Sequence, residues 1–540
     1  MPKSLHTTLG IMTLFALLLT GCAWKLGTQP ALPTLAQLTS LPTQTLTLQA
    51  QSLVTPSTIG RTPIPESAGV TQAEALLPQA QADLSRMNRE TQYNLTVQID
   101  FNKHAFQGTA QIGYTNQEDV PLESLYFRLY PNGHKSYGDG SLEVSTVLVE
   151  GLPVKTALSV SDTVLEVELP APLSVNQKIS LQMDFAGTVP EGFGNPDAPQ
   201  GYGIYTFSEG VLSLSGWYPI LAVYDQDGWN LDPVSLLGDS VYSDSAFYDV
   251  QVTTGSDIVL ASTGSQVAQA VEGDNLQRRF ISGPVRDFYM VMSPDFEVVS
   301  QRAGETRVNS YYLPEHAQGG EAALSVTADA LEIYNQNFGL YPYKELDVVE
   351  APMENALGVE YPGVFLVASS LYDDPAQNSF MIATAHETAH QWWYGVVGND
   401  VFDAPWLDEA LATYSSSLYY EEALGEGAYQ GYISYLQERL DKLRQDGMDD
   451  QVTRSLSYFE SLDEPRVYGS VVYTKGALFL VALREEIGDQ AFFDALRSYY
   501  QDYKYQLADT PDLLDVFEKS SGRQLDDFYH EWLYSAETAP

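Results

Sequence analysis

The sequence of 540 residues contains a single cysteine, Cys22. No intramolecular disulfide can form, and a metal site built from several cysteines is excluded. Basic residues are scarce: 27 Lys and Arg stand against 71 Asp and Glu, a net charge of −44. A surface that negative repels phosphate backbones and anionic headgroups, which argues against nucleic acid as a partner and against adhesion of the folded body to lipid. Long apolar runs are few. Leu9 to Thr20 is interrupted by Gly10 and Thr13 and is short for a membrane span. From 23 to 70 charge itself is scarce, with only Lys25, Arg61 and Glu66 among Thr, Pro, Gln, Ser and Leu in no clear period. That stretch reads as a disordered tether. What is abundant is core material: 44% hydrophobic residues and 35 tyrosines, enough for the two or three domains that this length implies.

Lys3 gives a positive start to the apolar segment, which ends in Leu19-Thr20-Gly21-Cys22. The layout is that of an export signal, and the four residues resemble the bacterial lipoprotein cleavage box. The resemblance implies a signal peptide over 1–22, lipid on the Cys22 thiol, and an exported protein anchored to a membrane at the cell surface or periplasmic face.

Beyond the tether the hydrophobic period divides the chain. Tyr93, Leu95, Val97 and Ile99 alternate, and similar short runs recur at 125–130, 164–169, 179–185, 247–252 and 288–292, with turn signals at Pro131-Asn132-Gly133 and Asp227-Gly228. This spacing predicts a large antiparallel β-domain over 71–305, entered through a helix around 72–88. After Gly320 the period becomes helical, with Leu324, Ala328, Leu331, Tyr334 and Phe338 before Gly339. A strand at 346–349 and helices over 428–443, 475–487 and 489–500 follow. The fold class expected is α+β, with a mostly helical domain over 306–540.

The chemistry concentrates in His386-Glu387-Thr388-Ala389-His390, an H-E-x-x-H pentapeptide. On a helix its histidines lie four residues apart, about 400° of rotation, so both imidazoles leave one face a turn apart and reach one metal. Glu387 is offset by about 100°, where it can address water without binding the metal. Apolar residues from Phe380 to Ala385 precede the motif and Trp392, Trp393 and Tyr394 follow, so its polar groups are desolvated and need a partner. A catalytic zinc keeps three protein ligands and one open position. Glu409 lies eighteen residues beyond His390, across a loop carrying Gly395, Gly398 and Pro405, and can return on a second helix.

The H-E-x-x-H followed at that distance by Glu, within Trp406-Leu407-Asp408-Glu409-Ala410-Leu411-Ala412, resembles the M1 family of zinc aminopeptidases, the gluzincins that include aminopeptidase N and leukotriene A4 hydrolase. The likeness runs from about Thr91 to the C-terminus. It implies a saddle-like antiparallel β-domain ahead of a thermolysin-like catalytic domain. It also implies one Zn2+ on His386, His390 and Glu409, with Glu387 as general base. Tyr473, before Lys475-Gly476, matches the family's oxyanion-stabilising tyrosine, and Tyr468 resembles a second tyrosine of some members. The family's G-x-M-E-N carries the glutamate that grips the substrate's free amine. Met353-Glu354-Asn355 spells it literally but follows Ala351-Pro352 instead of glycine. Leu357-Gly358-Val359-Glu360-Tyr361-Pro362-Gly363 fits the spacing from Pro352 and the glycine after it, which favours Glu360 and makes Glu354 a look-alike.

The function expected is zinc-dependent removal of N-terminal residues from peptides. The alternatives are a zinc endopeptidase or another hydrolase on the same scaffold, and a surface binding protein with a degenerate site. Many M1 enzymes continue into a helical C-terminal domain, whereas Pro540 ends this sequence, and a more open groove is the corresponding expectation.

Overall fold

A computed structural model describes residues 71–193, 202–238, 241–462 and 464–536. Cys22, the signal segment and the tether lie outside them.

Strict alternation produces the first strand. Over Gln92–Asp100 every second side chain is buried, so Tyr93, Leu95, Val97 and Ile99 share the inner face. It pairs antiparallel with Ala105–Thr115, placing Leu95 opposite Ala110, and parallel with Phe247–Gly255. These strands are the middle of an eight-stranded sheet that runs from Ser265–Glu272 at one end to Ser141–Val149 and Leu152–Pro153 at the other. Two four-stranded sheets contribute to the same hydrophobic core. The tyrosines serve here as core: Tyr93 stacks on Tyr248 at 4.9 Å with Tyr218 edge-on at 5.6 Å. Their hydroxyls are satisfied internally, Tyr93 accepting from Leu221 N and Tyr218 donating to Tyr248.

The second region is built on a mixed five-stranded sheet in the order Glu297–Ala303, Thr306–Tyr312, Glu345–Ala351, Val364–Ala368, Gly358–Tyr361. Thr306–Tyr312, Glu345–Ala351 and Val364–Ala368 run parallel and both edges are antiparallel. The helix Ala317–Asn337 makes the crossover between the first two of these, and twelve helical or π-helical segments follow the sheet among the described residues. Val364–Ala368 is buried at every position, as expected of a strand covered on both faces. A division at residue 305 falls in the turn of the hairpin Glu297–Ala303/Thr306–Tyr312, so the second sheet already starts at Glu297.

Residues 72–88 do not make one helix. Two 3₁₀ turns, Gln72–Ala75 and Gln81–Arg86, flank Pro78, whose missing N–H forbids a continuous ladder. The connection straps the helical region: Leu77 N donates to Pro342 O at 2.9 Å, Lys344 N to Ala75 O at 3.0 Å, and Lys504 Nζ meets Asp83 at 2.6 Å. Buried apolar side chains run without a break from the large sheet into the helices. No helix among the described residues is long and apolar enough to cross a membrane.

Candidate active site

The helix Asn378–Ala389 is buried along its length between the mixed sheet and the helices Ala317–Asn337 and Trp406–Tyr419. Its two threonines return their hydroxyls to the backbone one turn earlier, Thr384 to Phe380 O and Thr388 to Thr384 O, so both buried hydroxyls are satisfied. Tyr334 ties the two ligand-bearing helices together, its hydroxyl lying 3.0 Å from both Ala385 O and Ser415 O. The loop from Gly395 to Pro405 is folded back by Asp400, whose Oδ1 accepts from Phe402 N and Asp403 N. It delivers Glu409 in the first turn of Trp406–Tyr419, where the helix N-terminus favours negative charge.

These elements bring three donors to one point. His386 Nε2 is 3.1 Å from Glu409 Oε2 and 3.1 Å from His390 Nε2, and His390 Nε2 is 3.5 Å from Glu409 Oε2. Atoms ligating one tetrahedral zinc at about 2.0–2.1 Å stand about 3.4 Å apart, so the donor triangle fits that ion. The outer nitrogens are occupied: His390 Nδ1 donates to Trp393 O at 3.0 Å and His386 Nδ1 faces Thr413 Oγ1 at 3.5 Å, which leaves both Nε2 atoms turned inward. Burial opposes ionisation of Glu409, but hydrogen bonds from the two imidazoles outweigh it and hold the carboxyl below its ordinary range. It is therefore a carboxylate at neutral pH, the form that ligates a cation.

A second group adjoins the first. Glu360, Glu387 and His390 offer ligand-type atoms that all lie within 4.8 Å of one another. Glu360 comes from the edge strand Gly358–Tyr361, opposite Phe365 of Val364–Ala368, and its Oε1 is 3.6 Å from His390 Nδ1. Gln391 fixes that strand to the end of the motif helix, donating to Tyr361 O and accepting from Gly363 N. Glu354 instead lies on an exposed bend. The geometry thus brings Glu360 to the histidines and leaves the literal Met-Glu-Asn outside.

Tyr473 enters on a π-helical segment, Gly469–Lys475, and donates to Glu409 Oε1. Its ring lies 5.9 Å from His386, nearly parallel, and Tyr468 meets it edge-on at 5.6 Å. π-Segments are often found where a helix must present a functional side chain. This one is pinned by Lys475, whose buried ammonium contacts Asp449 Oδ1, Asp450 O and Ser535 O at 2.8–2.9 Å. Gln391 and Tyr334 had no signature that marked them in the sequence, and Lys475 entered there only as the landmark after Tyr473. Each acts through a backbone carbonyl or amide of a distant segment.

The arrangement is a buried donor triangle for one divalent cation, flanked by two carboxylates and a phenol. Residues 322–532 match the model of the peptidase family M1 domain. Among curated proteins, aminopeptidase M1-B of Oryza sativa subsp. japonica is 24% identical over 466 residues, covering 84% of this chain and 50% of its own length. Aminopeptidase N of Streptomyces lividans is 27% identical over 232 residues, 42% of this chain and 27% of that protein. The chain spans about half the length, or less, of these curated relatives. Among solved structures, an M1 zinc metallopeptidase from Deinococcus radiodurans superposes with a TM-score of 0.62 at 22% identity, covering 84% of this chain and 95% of that one. A mutant of that enzyme bound to a Tyr-Ser-Ala substrate gives the same score.

Proposed function

We infer, from the match of residues 322–532 to the peptidase family M1 domain, that this chain removes N-terminal residues from peptides with one zinc ion held by His386, His390 and Glu409. The observation that carries the reading is the second carboxylate. Glu360 and Glu387 both converge on His390 beside the donor triangle, so one is available for acid–base work and the other for a substrate ammonium.

Zinc bound there supplies a Lewis acid that polarises the scissile carbonyl and acidifies water. Glu387 is the general base: it accepts the proton of the attacking water and delivers it to the leaving amine. Tyr473 donates to the oxygen that gains negative charge, a hydrogen bond of a kind worth about 3 kcal/mol to the transition state. To do so it exchanges its present partner, Glu409 Oε1, for the substrate. Glu360 holds the free ammonium, which fixes the scissile bond one residue in. Peptides are the substrate class, and the acidic surface gives no support for nucleic acid as a partner.

We propose separately, from the N-terminal sequence, that the protein acts outside the cytoplasm, anchored to a membrane. Leu19-Thr20-Gly21-Cys22 supports cleavage before Cys22, lipidation of its thiol and a tether over 23–70 that holds the folded regions off the membrane. Radiolabelled fatty acid incorporated into wild type but not Cys22→Ser would support the anchor, and equal labelling would dismiss it.

Aminoacyl-fluorophore substrates and their N-acetylated counterparts test the catalytic reading, each with and without a chelator. Exopeptidase action predicts turnover of the free-amine series alone, abolished by chelation and restored by zinc. Cleavage of acetylated peptides at equal rates would instead indicate an endopeptidase, and no chelator-sensitive turnover of either series would indicate a binding protein.

A further inference from the structure

Tyr394 is the residue in the motif region whose backbone departs furthest from ordinary geometry, with φ of +109°. A side chain makes that conformation strained, and such strain persists where surrounding contacts over-determine it. Tyr394 follows Trp393, and Trp393 O is the acceptor that orients the zinc-ligating His390 through Nδ1 at 3.0 Å. Whatever fixes Tyr394 therefore fixes the peptide beside the one that His390 leans on.

The contacts that fix it come from a loop of the β-rich region, about a hundred residues upstream. Arg286 is 2% exposed and spends its guanidinium on three backbone carbonyls from three separate segments. Nε donates to Tyr394 O at 2.7 Å, Nη1 to Ser243 O at 3.1 Å, and Nη2 to Gln506 O. Gln506 O also accepts from Gly398 N at 3.0 Å, which closes the loop after the motif onto the same point. Gly398 packs flat on the guanidinium: a Cβ there would meet Arg286 Cζ at 2.1 Å, so the glycine is required by the arginine. The neighbouring Asp287 reaches the other end of the same tyrosine, its Oδ2 accepting from Tyr394 OH at 3.4 Å. The grip is itself anchored, because Arg286 O accepts from Ser243 Oγ at 2.7 Å and from Tyr248 OH at 3.2 Å, the latter part of the stacked tyrosine core.

We propose that Arg286 and Asp287 are positioning residues for the zinc site: they hold Tyr394 at its carbonyl and its phenol, and so preset the Trp393 carbonyl that aims His390 at the metal. The inference rests on His386, His390 and Glu409 being the zinc ligands. It makes the β-rich region part of the metal site's support, with no side chain of its own on the metal. A lysine cannot replace the arginine, since one ammonium on a flexible stem cannot address three carbonyls in fixed directions. Outer partners of this sort typically change metal affinity by about 10–100-fold.

The test measures zinc affinity by competition with a chromophoric chelator and the visible spectrum of the cobalt-substituted protein, in wild type, Arg286→Lys and Asp287→Asn. Wild type must bind one zinc; if it does not, the ligand assignment itself fails, separately from this proposal. The expected result is about 10–100-fold weaker zinc binding in Arg286→Lys with a shifted cobalt spectrum, and a smaller change in the same direction in Asp287→Asn. A merely structural role would lower unfolding stability and leave both metal readouts at wild-type values, which overturns the proposal. Should Arg286→Lys fail to fold, Asp287→Asn and hydrogen exchange on the wild type decide. Amides from Trp393 to Gly398 must be as protected in zinc-stripped protein as in zinc-loaded protein, because the grip is built without the metal. Protection that arises only with zinc overturns it.

Discussion

Gly358 lies against Glu387 so closely that a Cβ on the glycine would sit 2.5 Å from the carboxylate oxygen and from Cγ of the glutamate. The edge strand that carries Glu360 thus begins on Glu387, the proposed general base, and the two carboxylates are set by one piece of backbone. Gly358→Ala should displace Glu387 while leaving the three zinc ligands alone. The expected outcome is retained zinc with kcat lowered by about 100-fold, the usual cost of moving a reacting group by about 1 Å. Glu387→Gln should likewise keep zinc and lose nearly all turnover. Metal content and kcat measured on the same preparations check both; full activity in zinc-replete Glu387→Gln would remove the residue from its role.

Glu360 and the look-alike Glu354 should separate cleanly. The first is buried at 3.6 Å from His390 Nδ1, and the second is exposed on a bend. Glu360→Gln removes a charged partner of the substrate ammonium, worth about 1.5–3 kcal/mol, and kcat/KM on aminoacyl-fluorophores should fall by about 10–100-fold. Glu354→Gln should leave kcat/KM near that of wild type. The reverse pattern would return the amine site to the literal Met-Glu-Asn.

The convergence of the candidate metal donors was legible because they are local. H-E-x-x-H needs only helical rise and rotation to put His386 and His390 on one face, and Glu409 needs only a loop and a second helix. The large sheet was legible for the same reason, since Tyr93 to Ile99 alternate as a half-buried strand must. What escaped was whatever acts through backbone groups of distant segments. The Arg286 fork on Tyr394 O, Ser243 O and Gln506 O has no period or motif. The helix expected over 475–487 is preceded by a π-helical stretch from Gly469, a feature of seven residues too short to establish a period of its own. Around Pro78 the pattern read as helix, whereas burial of Leu76 and Leu77 against the 342–344 segment favoured extended backbone.

Tyr473 donates to Oε1 of Glu409, the proposed third zinc ligand, so Tyr473→Phe has two separable consequences. Loss of an oxyanion donor lowers kcat by about 100–1,000-fold with KM little changed. Loss of the bond to Glu409 weakens zinc binding. Activity should therefore stay low when zinc is supplied in excess. Full recovery in excess zinc would show that the phenol serves the metal site and not the oxyanion.

Asp347 sits inside the mixed sheet, where burial, reinforced by the charge of Glu345, pushes its carboxyl from an ordinary 3.8 to about 8. Asn309 Nδ2 donates to its Oδ1 at 2.7 Å, a bond that an amide oxygen accepts equally well. Between those two values the folded protein holds a proton that the unfolded chain has released, so this group makes stability fall as pH rises from about 4 to about 8 and level off above. Asp347→Asn removes that dependence. Relative to wild type, the variant should gain little near pH 4, gain progressively up to pH 8, and keep a constant advantage beyond. Urea midpoints of both proteins at several pH values across that range measure it. A pH-independent difference would mean that Asp347 ionises at its ordinary pKa and that the sheet interior holds a charge there.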